Sequence, residues 1–485
     1  MKLNEIRIGI IHSLIGKNDG VSIVIDQTVK AMSKHLKINI GNFFFLAAHS
    51  SPRFNAQTDE VFWHKSEEHK FILRNFNNQN EDEMNCLDEL IHESALYAKN
   101  VIKKWVDDNY IDLIIAHNTS HPYNFITAVG LGYYIEELRN QGIIWPKLMV
   151  WWHDSYFERS IFSNPNKVIQ KYLKYLPGTF VDSIAFINNQ QIALGKKVFG
   201  QYNNNKLDRF FEHRTTVVPN TSDIPWNWEH AENITSEIIS PPQDSYNNSF
   251  FKDIGLESQL ESKGFTLNDT VILLQHTRVV PRKKIELAID LAFELEKKFK
   301  LDKNKKCVAI IVSGHSGDEQ NKYLQDLNDY YEEACKNNPD CNVLLIFGEN
   351  IILSHRDIIV DKKFYNFAEI PSIIAAHGGL GTYFSEVEGF GNNLLEMISM
   401  GLPVVINKYE VYKEEIEKIG FALPAIDNSK ITQELVDSAY ELLTDIAYRN
   451  KIVYHNLRTL KENLDHKIIV DKLKPLILNM FMRTL

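Results

Sequence analysis

At 485 residues the chain exceeds what one hydrophobic core ordinarily serves, so two domains are expected. Apolar residues make up 44% and charged residues 24%, the proportions of an ordinary globular protein, and no run approaches the ~20 apolar residues that span a bilayer. With 53 basic against 63 acidic side chains, the net charge of -10 argues against broad nucleic-acid binding, while peripheral contact with a membrane stays open.

The start, MKLNEIRIGIIHS, runs into a strand without the apolar core or cleavage pattern of a signal peptide. Cys86, Cys307, Cys335 and Cys341 form no pair at metal-ligand spacing, so no metal site is expected and a reduced, cytoplasmic setting is the simplest reading. Apolar runs at 7–13, 38–47, 112–118, 147–154, 183–189 and 215–220 read as buried parallel strands, with helices over 20–36, 87–106 and 121–139 between them. That alternation is an α/β doubly wound sheet. After the first strand, HSLIGKNDGVS carries Gly16 and then Gly20, which opens the first helix as any tight strand-to-helix turn requires. Residues 48–83 break the rhythm: the stretch is polar, asparagine-rich and poorly periodic, and reads as an insertion that could cover an acceptor. Asn118 and His153 stand at strand ends, and Asn220 follows another; a lone histidine there is more often held structurally in the core. Asp154, Glu158 and Arg159 follow His153 and either meet an acceptor or cap the next helix.

The first domain is expected over 1–235, a Pro- and Asn-rich linker over 236–265 and a second domain over 266–465. In that second half, strands are expected at 271–275, 307–314, 342–348, 381–385 and 403–407. Helices near 284–299, 317–337 and 392–400 alternate with them, followed by 430–447, 449–464 and 467–483.

Two stretches of this half carry chemistry. In QHTRVVPRKKIELAI a strand gives way to Arg278, Arg282, Lys283 and Lys284 just before a helix. Cations at a helix start oppose its dipole, so the cluster suits a bound anion, the alternative being a solvent-facing basic turn; Arg282 and Lys284 read as surface. In YFSEVEGFGNNLLEMISMGLPVVIN a strand, a glycine loop, a helix and a second strand form one crossover, with Gly401 ending the helix and Pro403 preventing its continuation. Gly389, Phe390, Gly391 and Asn392 place free amides at the helix start, where an anion is favoured. Glu388 and Glu396 each offer paired acceptors suited to a vicinal diol, or are simply solvated charges.

EGFGNNLLEMISMGLPVV resembles the glutamate-seven-residues-glutamate signature of the retaining GT-B glycosyltransferases of family 4, and HTRVVPRKK resembles that family's Arg-Leu-Val-Pro-Arg-Lys-Gly loop. The resemblance implies a GT-B fold, two Rossmann-like domains facing a central cleft, with residues 466–485 crossing back to the first domain. It implies a hexose carried from a nucleotide diphosphate sugar, as donor substrate, to an acceptor hydroxyl, with no cofactor and no metal. By the same resemblance Arg278 and Lys283 would hold the diphosphate, Glu388 with Gly389, Phe390 and Gly391 the sugar, Asn392 the donor, and Glu396 the ribose. His153 would orient the sugar; Gly20, Asn118 and Asn220 match positions near the substrates. Lys284 and Thr221 stand where the family has glycines. WWHDSYFER, HTRVVPRKKIELAI and NKYEVYKEEI look like the branch that acts on small glycosyl-glycerate-type solutes. A sugar-nucleotide epimerase, a phosphorylase and a non-catalytic sugar-nucleotide-binding protein are the alternatives. No Asp-x-Asp at a strand end, G-x-S-x-G elbow, Walker loop or G-x-G-x-x-G turn competes with this reading.

Overall fold

Strands that are apolar on both faces must be covered on both faces, and the chain does this twice. The computed structural model describes residues 2–17, 19–176, 178, 180–201, 207–315 and 321–482, in two units: Met1–Thr221 with His466–Leu485, and Ser222–Asp465.

In the first unit the strands of the main sheet are β1 (Ile8–Ile11), β2 (Phe43–Ala47), β3 (Gln57–Thr58), β4 (Leu113–His117), β5 (Lys147–Trp152), β6 (Ser183–Phe186) and β7 (Thr215–Val217). They form one parallel sheet in the order β3-β2-β1-β4-β5-β6-β7. Helices α1 (Gly20–Leu36), α2 (Glu81–Asn109) and α3 (Phe125–Asn140) supply the covering layers with others. The chain's last helix also belongs to this unit: Ile469, Leu473, Ile477 and Met480 share one buried cluster with Ile25 and Met32 of α1.

Residues 48–83, expected as an insertion, are packed into this unit. Gln57 and Thr58 extend the sheet beside β2, and Phe62, Ile72 and Phe76 are buried in the main cluster. Their apolar side chains come in two short runs, 61–63 and 71–73, set among polar residues, too brief to show a period, which is why the stretch looks detached in sequence.

The second unit has a parallel sheet of β8 (Thr270–Gln275), β9 (Cys307–Val312), β10 (Val343–Phe347), β11 (Leu380–Tyr383), β12 (Val404–Asn407) and β13 (Ala425–Ile426), in the order β10-β9-β8-β11-β12-β13. Helices α4 (Ile285–Leu301) and α5 (Asn392–Ser399) follow β8 and β11. The unit begins at Ser222, and residues 236–265, expected as a linker, lie within it. Phe250, Leu256 and Leu260 are buried in its core, and Asn450 donates to the carbonyls of Ile234 and Glu237 and accepts from the amide of Ile239. Side-chain partners satisfy the irregular backbone there, so polar, proline-bearing sequence does not mean a free tether.

Candidate active site

Ligands of parallel α/β sheets bind beyond the carboxyl ends of the strands, and the residues singled out above gather there within each unit. In the second unit, β11 leads through Glu388 to Gly391, which precedes α5 with φ of 126°. The amides of Phe390, Gly391, Asn392 and Asn393 have no acceptor among the described residues, as the orphan donors of a helix start should be. The Phe390 side chain is buried in the core, and its carbonyl accepts from the Tyr409 hydroxyl at 2.5 Å. At the other end Gly401 takes φ of 70°; its amide reaches Ile398 O at 3.0 Å, and the Leu402 amide reaches Met397 O at 3.1 Å, closing the helix. A Cβ on Gly391 would overlap the Tyr409 hydroxyl in a backbone region reserved for glycine. Gly391→Ala is therefore expected to cost about 2 kcal/mol or more, read as a lowered denaturation midpoint.

The cationic loop forms a single turn at Pro281–Lys283, and Lys284 closes it with φ of 48°. Glycine adopts this left-handed conformation freely, and a lysine adopts it at a cost of about 1 kcal/mol. Lys283 is buried and donates to Glu388, and its ammonium lies 5.4 Å from the centre of the Tyr383 ring. Arg282, expected on the surface, also reaches this carboxylate: Nη1 is 3.0 Å from Glu388 Oε2 and 2.7 Å from the Val387 carbonyl. Burial brings Lys283 down to about 8 against the pull of Glu388. Burial opposes ionisation of Glu388 as well, yet the charges of Lys283 and Arg282 hold it at about 2. Arg278 is exposed on the same loop. The result is a desolvated cation, fixed by a carboxylate, on the loop after β8.

Glu396 sits one turn into α5, with Oε2 3.5 Å from Nε2 of His276. His276, at the end of β8, donates or accepts through Nδ1 at 2.8 Å from the Ser313 hydroxyl. The next residue, Gly314, leaves room for nothing larger, since a Cβ would overlap the Thr277 carbonyl. Sequence reasoning passed over His276 and Ser313; the only local sign is a histidine at a strand end, and their meaning comes from each other.

In the first unit, histidines recur beyond the strand ends. His153 Nε2 is 3.0 Å from His117 Nδ1, and the two rings stack at 5.3 Å. The His117 ring in turn stacks on Trp151 at 5.1 Å. His12 reaches the His117 carbonyl at 3.2 Å through Nδ1 and lies 3.8 Å from Asp19 through Nε2. Burial lowers His153 to about 3, helped by His12, and drives His117 well below the usual range, so both are neutral near pH 7. Asn118 has φ of 56° and its side chain accepts from the Asp154 amide at 3.0 Å, which commits it to holding the loop after β5. Gly20 opens α1 in a helical conformation, and the Asp19 carboxylate accepts from the amides of Val21 and Ser22 at 3.1 and 3.0 Å. That carboxylate occupies the donors a phosphate would use. The position that requires glycine is Gly16, with φ of 69° and Phe54 and Ser51 packed against it. Asn220 is buried beside Thr221, whose hydroxyl is 3.5 Å from Gln27 Oε1. Among the described residues, no three His, Cys, Asp or Glu side chains are placed to hold a metal ion, and no helix is long and apolar enough to cross a membrane.

Two units, each a parallel sheet wound on both faces by helices, constitute the GT-B glycosyltransferase fold. The fold is shared with HepE of Anabaena, solved with UDP and glucose, at 15% identity over 99% of this chain and 100% of that one, TM-score 0.52. It is shared also with WaaG, a glycosyltransferase involved in lipopolysaccharide biosynthesis, at 10% identity over 97% and 99%, TM-score 0.51. In sequence the chain is 25% identical over 444 residues to the mannosylglucosylglycerate synthase of Petrotoga mobilis, a match covering 86% of each chain. No protein-family model matches. The GT-B resemblance read from EGFGNNLLEMISMGLPVV is borne out by these likenesses.

Proposed function

We propose that this chain is a retaining, metal-independent hexosyltransferase that moves a glucose- or mannose-type sugar from a nucleotide diphosphate sugar to a hydroxyl of a glycerate-type acceptor. The observation that carries the reading is the match along 86% of each chain to a mannosylglucosylglycerate synthase. The buried Lys283 and the unpaired amides at the start of α5 support it, because a departing diphosphate needs fixed positive charge and preorganised donors. In this reading Arg278 and Lys283 stabilise the diphosphate as the sugar leaves, and Glu388 with the amides from Gly389 to Gly391 holds the sugar hydroxyls. Glu396 binds the ribose and the neutral His153 orients the sugar. The leaving phosphate oxygen accepts the acceptor's proton on the face from which it departed, so no protein base is required and the anomeric configuration is kept. A cytoplasmic setting fits the four free thiols.

The test is a melting-temperature panel of UDP, GDP, ADP and their sugars, followed by incubation of the stabilising sugar nucleotide with glycosyl-glycerate acceptors. One nucleotide series should raise the melting temperature, and a product of unchanged anomeric configuration should form only with acceptor. A donor altered without acceptor would make the chain an epimerase, and turnover only with inorganic phosphate a phosphorylase.

Because Lys283 titrates at about 8 in the unliganded chain, its cation is present below that pH and lost above it. The kcat/KM for donor, which reports the free enzyme, is expected to fall as pH rises through about 8. A profile that stays level well into the alkaline range would remove Lys283 from the role assigned to it.

A further inference from the structure

His276 is fully buried, and its ring lies flat on that of Phe367, with centroids 3.9 Å apart and 16° between the planes. Nδ1 is satisfied by the Ser313 hydroxyl, whereas Nε2 has no hydrogen-bond partner and faces Glu396 Oε2 at 3.5 Å. Buried polar atoms without partners are rare and call for an explanation. A neutral ring has two proton arrangements. With the proton on Nδ1, a lone pair on Nε2 points at the carboxylate and repels it. With Ser313 donating to Nδ1, the proton sits on Nε2 and points at the carboxylate instead, which electrostatics favours. The histidine's backbone is tied to the same helix, since Asn393 Nδ2 donates to the His276 carbonyl at 2.7 Å. Ring and carboxylate thus stand on elements fixed to one another.

We propose that His276 positions Glu396, its Nε2–H holding one carboxylate oxygen so that the other accepts from both hydroxyls of a vicinal diol, the ribose of a bound nucleotide. The inference rests on the proposed function, which gives Glu396 the ribose, and adds the residue that sets its geometry. Glu396 makes no other side-chain hydrogen bond among the described residues, so a small rotation brings the 3.5 Å separation to hydrogen-bond length, about 2.8–3.0 Å. The Ser313 hydroxyl, donating to Nδ1 at 2.8 Å in preference to the Gln275 carbonyl at 3.5 Å, leaves the proton on Nε2, and Phe367 sets the ring plane. His276 touches no ligand; it acts through the carboxylate, as the outer-shell partner of a metal-binding histidine acts through that histidine.

The experiment is equilibrium binding of UDP, GDP and ADP to the full chain, each beside its 2′,3′-dideoxy counterpart. For the nucleotide that binds, the dideoxy form should be weaker by about 10- to 100-fold, the value of hydrogen bonds to a charged acceptor. His276→Phe keeps a flat ring on Phe367 but removes the donor, and should bring that ratio to within about threefold of one. His276→Gln, whose side-chain amide restores a donor, should recover much of the ratio, which a purely structural role for the ring would not. Ser313→Ala should shrink the ratio as well, and decides the matter if His276→Phe does not fold. A ratio in His276→Phe, or in Ser313→Ala in its place, equal to that of the wild type overturns the assignment of His276 alone. Failure of the wild-type chain to bind any of the three nucleotides overturns the proposed function and this inference with it.

Discussion

Lys283→Ala is expected to lower the turnover of sugar transfer by about two to three orders of magnitude, the loss typical when one fixed donor to developing negative charge is removed. Lys283 is well placed for so large an effect. Its ammonium is desolvated, anchored to Glu388 and set over Tyr383, so it meets a diphosphate without reorganising and without water to screen it. The deletion removes a buried charge together with its stem, so the denaturation midpoint must be measured beside the rate; a folded variant that is slow is the expected result. Arg278→Ala should lower turnover as well, by a smaller factor, because Arg278 is exposed and water shares its work. Near-normal transfer by both variants would remove the diphosphate from this loop.

Glu388→Gln should produce the largest loss of stability of any single change near the site. The pair it breaks is nearly closed to solvent, with side chains 5% and 9% exposed, and a buried pair deprived of one partner typically costs about 3–5 kcal/mol. The sign of its pH dependence follows from Lys283. Burial already lowers that lysine to about 8 while Glu388 raises it, so without the carboxylate it falls further and becomes neutral at lower pH. An unpaired Lys283 is costly only while charged, and deprotonation relieves the cost. The deficit relative to wild type should therefore be larger near pH 6 than near pH 9 when measured by denaturant unfolding. Equal deficits at both would show that Glu388 is not the partner that keeps Lys283 charged.

Local chemistry made some of this legible in the sequence. Helix α1 begins at Gly20 and ends at Leu36 as its periodicity suggests, and α5 runs from Asn392 to Ser399 with Gly401 closing it in the left-handed region. In both cases the signal lies within a few residues of the feature. The cationic loop and the two glutamates were visible for the same reason, each being a short run with a charge pattern that needs an explanation. The pairing of Arg282 with Glu388 was not, because it joins residues from different strand ends that only the parallel sheet brings together. His276 acquires its role from Ser313, 37 residues on, and from Glu396 on another helix. The stretch around Phe250 misled for a different reason: prolines, asparagines and serines suggest a tether, while the few aromatic and aliphatic side chains among them are buried. Asp19 as the cap of α1 is hard to read beside Gly20, because either residue suits a strand-to-helix turn, and the cap leaves that helix start already satisfied.

Glu388 emerges from the geometry with two duties that the sequence could not separate. It holds Lys283 and Arg282 in the unliganded chain, and in the proposed function it faces the sugar. A carboxylate has acceptor capacity for both, since its two oxygens can take Lys283 and Arg282 and still accept from a sugar hydroxyl.

The central claim is that a diphosphate is gripped in the second unit by the loop after β8 and the start of α5. The most direct measurement is a crystal structure of the full chain with the nucleoside diphosphate that raises its melting temperature. The expected result puts phosphate oxygens within hydrogen-bond distance of the Lys283 ammonium and of the amides of Asn392 and Asn393 at the start of α5, with the ribose on Glu396. A diphosphate bound away from Lys283, with the amides of α5 still facing water, would contradict the account.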